Sequence, residues 1–310
     1  EASLCSTVNT KKRNILMRWL SFYRDSEDAK GPLAYKNATF GYVVRDGEAK
    51  EGVVDAGKRS QFETLKQAIE ENALDTIVES CGQSPDFALG EITYAPTITQ
   101  PNKILCIGLN YKAHQEETGR GGEGVPTVFT RFAAAQIGHN QEMLRPKESG
   151  ALDFEGEIAM IIGKGGRRIS KEAAMEHVVG FGIYNDGSVR DYQRHTSQFT
   201  PGKNFSATGG FGPWMMSPDE IGNLDEMEIT TRLNGEVMQN AKAALLVHGF
   251  EELIEYCSSF IDLEPGDVIV TGTPAGVGAA RDPMVFMKAG DVIEVEVKPI
   301  GVLSNRIVDG

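Results

Sequence analysis

Three acidic residues, Glu155, Glu157 and Asp186, stand where apolar stretches begin or end. Glu155-Gly156-Glu157 runs into Ile158, Ala159, Met160, Ile161 and Ile162. Strand side chains alternate between faces, so the two glutamates project together, roughly 6.5–7 Å apart along the chain. The five residues after them are apolar at both parities, which predicts a strand covered on both sides. Two like charges at the mouth of such a strand must take up a proton or share a cation, because unpaired buried charge is costly. A hard divalent ion meets that need, since Mg²⁺ binds through a few carboxylates and keeps waters and substrate oxygens as its other ligands. The plainer reading is a pair solvated at the strand's end. The chain offers its own contrast at Val292-Ile293-Glu294-Val295-Glu296-Val297, where glutamates alternate with apolar residues and a half-exposed antiparallel strand is expected. Asp186 ends a second apolar stretch, Gly180–Tyr184, reached through a turn at Gly163–Gly166 and a helix over Lys171–His177 that Ser170 can cap. If the two strands are neighbours, it supplies a third carboxylate.

A possible acid–base pair precedes this region. Should Asn110–Gly119 turn helical, His114 and Glu117 lie one turn apart on one face, and the carboxylate can orient the imidazole as a general base. The glycine-rich Arg120–Gly124 then suits a lid. Beyond Asp186, Arg190 and Gln193 share a side of a helical turn, and Lys203 adds a cation in a loop. A surface ion network is the alternative for these groups. Gly272-Thr273-Pro274-Ala275-Gly276-Val277-Gly278 matches neither the dinucleotide nor the phosphate-loop pattern, and serves close backbone approach or a sharp bend.

The elements that must position these groups read as β-rich. Thr39–Val44 and Glu51–Asp55 flank an Asp46-Gly47 hairpin signal, Ser60–Glu63 reads as a capping box opening a helix through Leu65, Ala68 and Ile69, and a strand lies near Glu91–Tyr94. Prolines at 96 and 101 suggest a boundary, giving a small N-terminal domain over 1–97 and a larger one over 98–310. Lys103–Leu109 is expected as a buried strand, 227–240 as a hairpin turning at Asn234-Gly235, and Phe250, Leu253, Ile254 and Cys257 as the core face of a helix. Cys257 is therefore packing, not a nucleophile. The net charge of -13 argues against nucleic acid and anionic membranes, so an anionic ligand needs a local positive site. No apolar run approaches membrane-span length, no signal-peptide pattern is recognised, and four dispersed cysteines suggest reduced thiols, so a cytoplasmic location is expected.

Taken in order, Gly108-Leu109-Asn110-Tyr111 with His114 and Glu117, Asp153-Phe154-Glu155-Gly156-Glu157, Asn185–Gln193, Pro201–Phe205 and Gly272–Gly278 resemble the fumarylacetoacetate hydrolase family across about residues 100–310. The resemblance implies an α+β, β-rich fold, a mixed β-roll preceded by a smaller N-terminal α/β domain, assembled as a homodimer. It assigns Glu155, Glu157 and Asp186 to Mg²⁺ or Mn²⁺, His114 and Glu117 to a catalytic dyad on a lid, and Arg190, Gln193 and Lys203 to stabilising an oxyanion. Asn110, Arg131, Tyr192 and Thr273 are expected at the substrate, with Arg131 standing where lysine is frequent. Such a site suits a small anionic 2-oxo acid. A dyad able to activate water favours hydrolysis of a C–C bond in an acylpyruvate or related 1,3-dicarbonyl acid; decarboxylation of an oxaloacetate-like acid and keto–enol isomerisation of the 2-hydroxyhepta-2,4-diene-1,7-dioate type are the alternatives. A noncatalytic metal-stabilised binding protein is the reading from another class.

Overall fold

A computed structural model of the chain describes residues 17–30, 34–46, 50–121 and 124–310. The hairpin turn at Gly47, the N-terminal Cys5 and part of the glycine-rich Arg120–Gly124 lie outside these residues. Strands dominate: a 12-stranded mixed sheet, a 5-stranded sheet and a two-stranded ribbon.

The strand Gly156–Ile162 lies inside the large sheet, antiparallel to Val178–Asp186 on one side and Val268–Val270 on the other. Its apolar run has the predicted cause. Ile158, Met160 and Ile162 pack toward Ile229, Val295 and Leu303 of the second sheet and Leu253 and Ile254 of the helix Phe250–Phe260. Ala159 and Ile161 face the opposite layer, with Leu65, Ala68, Ile69 and Ile77 from helices Leu65–Glu70 and Leu74–Cys81. Each large aliphatic side chain removed from water here contributes about 1.5–3 kcal/mol. Gly156, between the two glutamates, admits the second sheet: a Cβ there would stand 2.1 Å from Thr231 Oγ1. The contrast strand, Val292–Lys298, buries Ile293, Val295 and Val297 and leaves Glu294 and Glu296 half-exposed, as its alternation predicts.

The sheet continues into the first hundred residues. Arg18–Tyr23 pairs with Gly209–Met216, then with Thr39–Asp46, which pairs in turn with Lys50–Asp55. Main-chain hydrogen bonds thus join segments on either side of residue 97.

Several local expectations shift. The first long N-terminal helix begins at Leu65, capped by Thr64 with Gln67 in a reciprocal capping box, four residues beyond the Ser60 signal. Thr-x-x-Gln satisfies the same rule and sits directly before the apolar positions. Lys171–His177 is a 3₁₀ helix without a side-chain cap from Ser170. Lys203 ends a short helix, Thr200–Lys203, instead of lying in a loop. The Asn234-Gly235 hairpin forms as expected, both residues at positive φ.

Candidate active site

The antiparallel register places Gly156 opposite Asn185, and the Asp186 N–H donates to Glu155 O at 2.8 Å. The carboxylates of Glu155, Glu157 and Asp186 therefore converge, each offering an oxygen within 4.8 Å of the others. All three are buried. Cations surround two of them. Lys203 Nζ donates to Glu155 Oε2 at 2.6 Å and Asp186 Oδ2 at 2.7 Å; Arg190 Nη1 donates to Glu155 Oε1 at 2.5 Å; Arg131 Nη1 donates to Asp186 Oδ1 at 2.5 Å.

The consequence is an unequal trio. Burial would raise the Glu155 carboxyl, but Lys203, Arg190 and His114 outweigh it and hold it at about 2. Glu157 accepts the Gly272 N–H at 2.5 Å, and among the described residues no lysine or arginine pairs with it. Burial, reinforced by Asp186 and Glu155, pushes its carboxyl well above the usual range. Hard oxygen donors converging around a carboxylate that lacks a counter-cation fit a divalent ion such as Mg²⁺ or Mn²⁺. Hydrogen bonds already made do not exclude it, because each carboxylate has about four lone-pair directions.

His114 lies on the helix Lys112–Thr118 and is only 6% exposed. Its Nδ1 meets Glu117 Oε1 at 2.6 Å, while Glu117 Oε2 accepts the Gly276 N–H at 2.9 Å. A carboxylate can only accept, so Nδ1 is the donor of this pair, and in the neutral imidazole the lone pair is on Nε2. The glycine loop is thus the dock for the dyad. Gly276 has φ 104°, and a Cβ there would lie 2.1 Å from Met238 O, so both the conformation and the space require glycine.

These groups line a cavity of about 350 Å³ with Glu155, Glu157, His114, Glu117, Arg190, Gln193, Lys203 and Thr273 on its polar wall. Phe129, Phe199, Ile107 and Val277 supply the apolar wall. Thr273 is held in place, its hydroxyl donating to Gly156 O at 2.9 Å and accepting from Gln239 Nε2 at 2.8 Å.

Three expected substrate contacts stand elsewhere. Asn110 is fully buried; its amide donates to His248 O and Thr271 O and accepts the His248 N–H, which ties the base of the helix Lys112–Thr118 to the core. Arg131 sits behind the carboxylates, on Asp186, Gly187 O and Thr208 Oγ1. Tyr192 packs edge-on against Phe205. In their place the structure brings forward Asp153. Its Oδ2 accepts Arg190 Nε at 2.7 Å and the Ala279 N–H at 2.9 Å, and its Oδ1 accepts the Gly278 N–H at 2.8 Å. Asp153 therefore fixes Arg190 and the glycine loop together, leaving Arg190 Nη2 buried without a partner beside the cavity.

Residues 103–308 match the fumarylacetoacetate (FAA) hydrolase C-terminal family. The chain belongs to that family. Over 228 residues it is 39% identical to the mitochondrial oxaloacetate tautomerase FAHD2A of Bos taurus, covering 73% of each chain. It is 40% identical over 225 residues to the oxaloacetate tautomerase YisK of Bacillus subtilis, covering 71% of this chain and 75% of that one. The fold superposes with TM-score 0.77 on a fumarylacetoacetate hydrolase from psychrophilic Exiguobacterium antarcticum, 30% identical, covering 95% of this chain and all of that one. The family's strand-rich fold is the expected one. The tautomerase relatives support the isomerising alternative better than C–C hydrolysis.

Proposed function

We propose that this family member is a keto–enol tautomerase acting on an oxaloacetate-type 2-oxo acid. The observation that carries the reading is the His114–Glu117 dyad, already assembled on the wall of the carboxylate cavity. Tautomerisation needs one base and one oxyanion site but no positioned water. His114 Nε2 takes the proton from C3, the C–H electron pair forms the C2–C3 double bond, and the carbonyl pair moves onto the 2-oxygen. The imidazolium then returns its proton to that oxygen, so atoms and charge balance without a co-reactant. Glu117 stabilises the transient imidazolium through Nδ1. Arg190, whose Nη2 is a buried donor without a partner, supplies a charged hydrogen bond for the substrate carboxylate or enolate. Mg²⁺ or Mn²⁺ held by Glu155, Glu157 and Asp186 would add Lewis-acid polarisation of the 2-oxo group when bound.

The test follows the enol absorbance of oxaloacetate and C3 proton exchange in deuterated water with Mg²⁺, beside a screen of acylpyruvates. Accelerated exchange, lowered by a factor of about 10²–10⁴ in His114→Ala, is expected. Acylpyruvate cleavage without accelerated oxaloacetate exchange would restore the hydrolase reading.

A further inference from the structure

Two arginines outside the proposed chemistry line the same cavity, Arg120 and Arg194. Both are exposed at its rim, and among the described residues neither forms an ion pair. Each follows a helical segment that carries active groups. The helix Lys112–Thr118 is capped at Gly119, φ 63°, and the Arg120 N–H closes back on Gln115 O at 3.1 Å, so Arg120 is pinned to the helix that carries His114 and Glu117. The Arg194 N–H closes on Asp191 O at 3.1 Å, which pins it to the turn carrying Arg190 and Gln193. One arginine thus follows the helix of the dyad and the other the turn of Arg190. In a chain carrying net charge -13, two unpaired cations at one cavity mouth form a local anion trap.

We propose that Arg120 and Arg194 clasp the distal carboxylate of the substrate and make the site selective for 2-oxo dicarboxylates over 2-oxo monocarboxylates. The inference rests on the 2-oxo acid reading above. The 2-oxo acid head occupies the inner carboxylate end of a cavity that Phe129, Phe199 and Val277 also line. Binding energy from the non-reacting end lowers KM, the dyad being already assembled. Both arginines act through binding.

The experiment is calorimetry on the Mg²⁺-loaded protein with 2-oxopentanedioate and 2-oxopentanoate, which share five carbons and the 2-oxo acid head and differ in the distal carboxylate. Wild type should prefer the dianion by about tenfold or more at low ionic strength, the usual scale for a charged hydrogen bond, and the preference should shrink with salt. Arg120→Ala and Arg194→Ala should each remove most of it and leave the monoanion affinity within about twofold. The lysine variants should recover part of it, because they keep the charge without the fork. On oxaloacetate, Arg120→Ala and Arg194→Ala should each raise KM more than they lower kcat. Equal wild-type affinity for the two probes, or equal weakening of both by the variants, overturns the clasp. Discrimination between the probes in a protein that tautomerises no 2-oxo acid would sink the proposed activity and leave the clasp standing.

Discussion

Replacing Glu117 by Gln isolates the dyad, because the two side chains share a shape and differ in what they offer. Glu117 accepts twice: from His114 through Oε1 at 2.6 Å and from the Gly276 N–H through Oε2 at 2.9 Å. Glutamine has only one oxygen. If that oxygen faces His114, its NH₂ meets the Gly276 N–H, donor against donor, and the lid loses its dock. If it faces Gly276, the NH₂ donates to Nδ1, which fixes the proton on Nε2 and removes the base. Both orientations disable proton abstraction, so exchange at C3 should fall by about 10²–10⁴, the range for losing a general base. Stability should change little, by about 1 kcal/mol, since the Glu117 side chain keeps 21% of its exposure and such pairs contribute modestly. The assay is deuterium exchange at C3 across a pH series, with urea unfolding as the control for folding. Wild-type exchange with an unaltered pH profile in a folded Glu117→Gln protein would show that Glu117 only anchors the lid.

Glu157→Gln should keep the Gly272 hydrogen bond through its amide oxygen yet weaken Mg²⁺ by at least about tenfold in calorimetry; undiminished affinity would remove Glu157 from the metal set. With chelator at pH 8 the same variant should melt no lower than wild type, because it no longer carries a carboxyl whose ionisation burial, Asp186 and Glu155 oppose. Asp153→Asn should destabilise the fold by about 3 kcal/mol and lower exchange, since it weakens a buried pair that holds Arg190; a chemical-denaturation midpoint equal to wild type would contradict this. His139 is held down at about 4 by burial, and its Nδ1 accepts the Ser304 N–H, so the folded state resists protonation. The unfolded chain binds that proton first, so stability should fall from pH 6.5 toward pH 4 by on the order of 2 kcal/mol, and His139→Asn should flatten the loss in pH-dependent urea melts.

What could be read in the sequence was local. The shared face of Glu155 and Glu157 follows from strand alternation, the His114–Glu117 contact from helical spacing, and the buried strand from apolar residues at both parities. What could not be read depends on partners far along the chain. Asp153 looks like one more acid before the glutamates, yet its work is done on Gly278, 125 residues away. Asn110 looks like a polar residue offered at a strand end, but its amide is consumed by His248 and Thr271, 138 and 161 residues on. Arg131 reads as a substrate contact until the sheet places it behind Asp186. No periodicity encodes such pairings; only the assembled fold does.

The placement of charge explains why the chemistry sits where it does. Asp153, Glu155 and Asp186 are each matched by a buried cation, whereas Glu157 is left to a backbone N–H. A site balanced in this way has one surplus carboxylate, and a divalent ion would turn that surplus into a net positive charge. The inner end then attracts the anionic head of a 2-oxo acid although the protein as a whole repels anions. In the proposed tautomerisation, negative charge developing on the 2-oxygen would fall near the unused Arg190 donor, and the proton would leave toward an imidazole whose other nitrogen is already committed. The same fixed dipoles would serve cleavage or decarboxylation, since each passes through an enolate. Hydrolysis would further require the dyad to deliver a water, whereas the proposed tautomerisation asks of it only a proton.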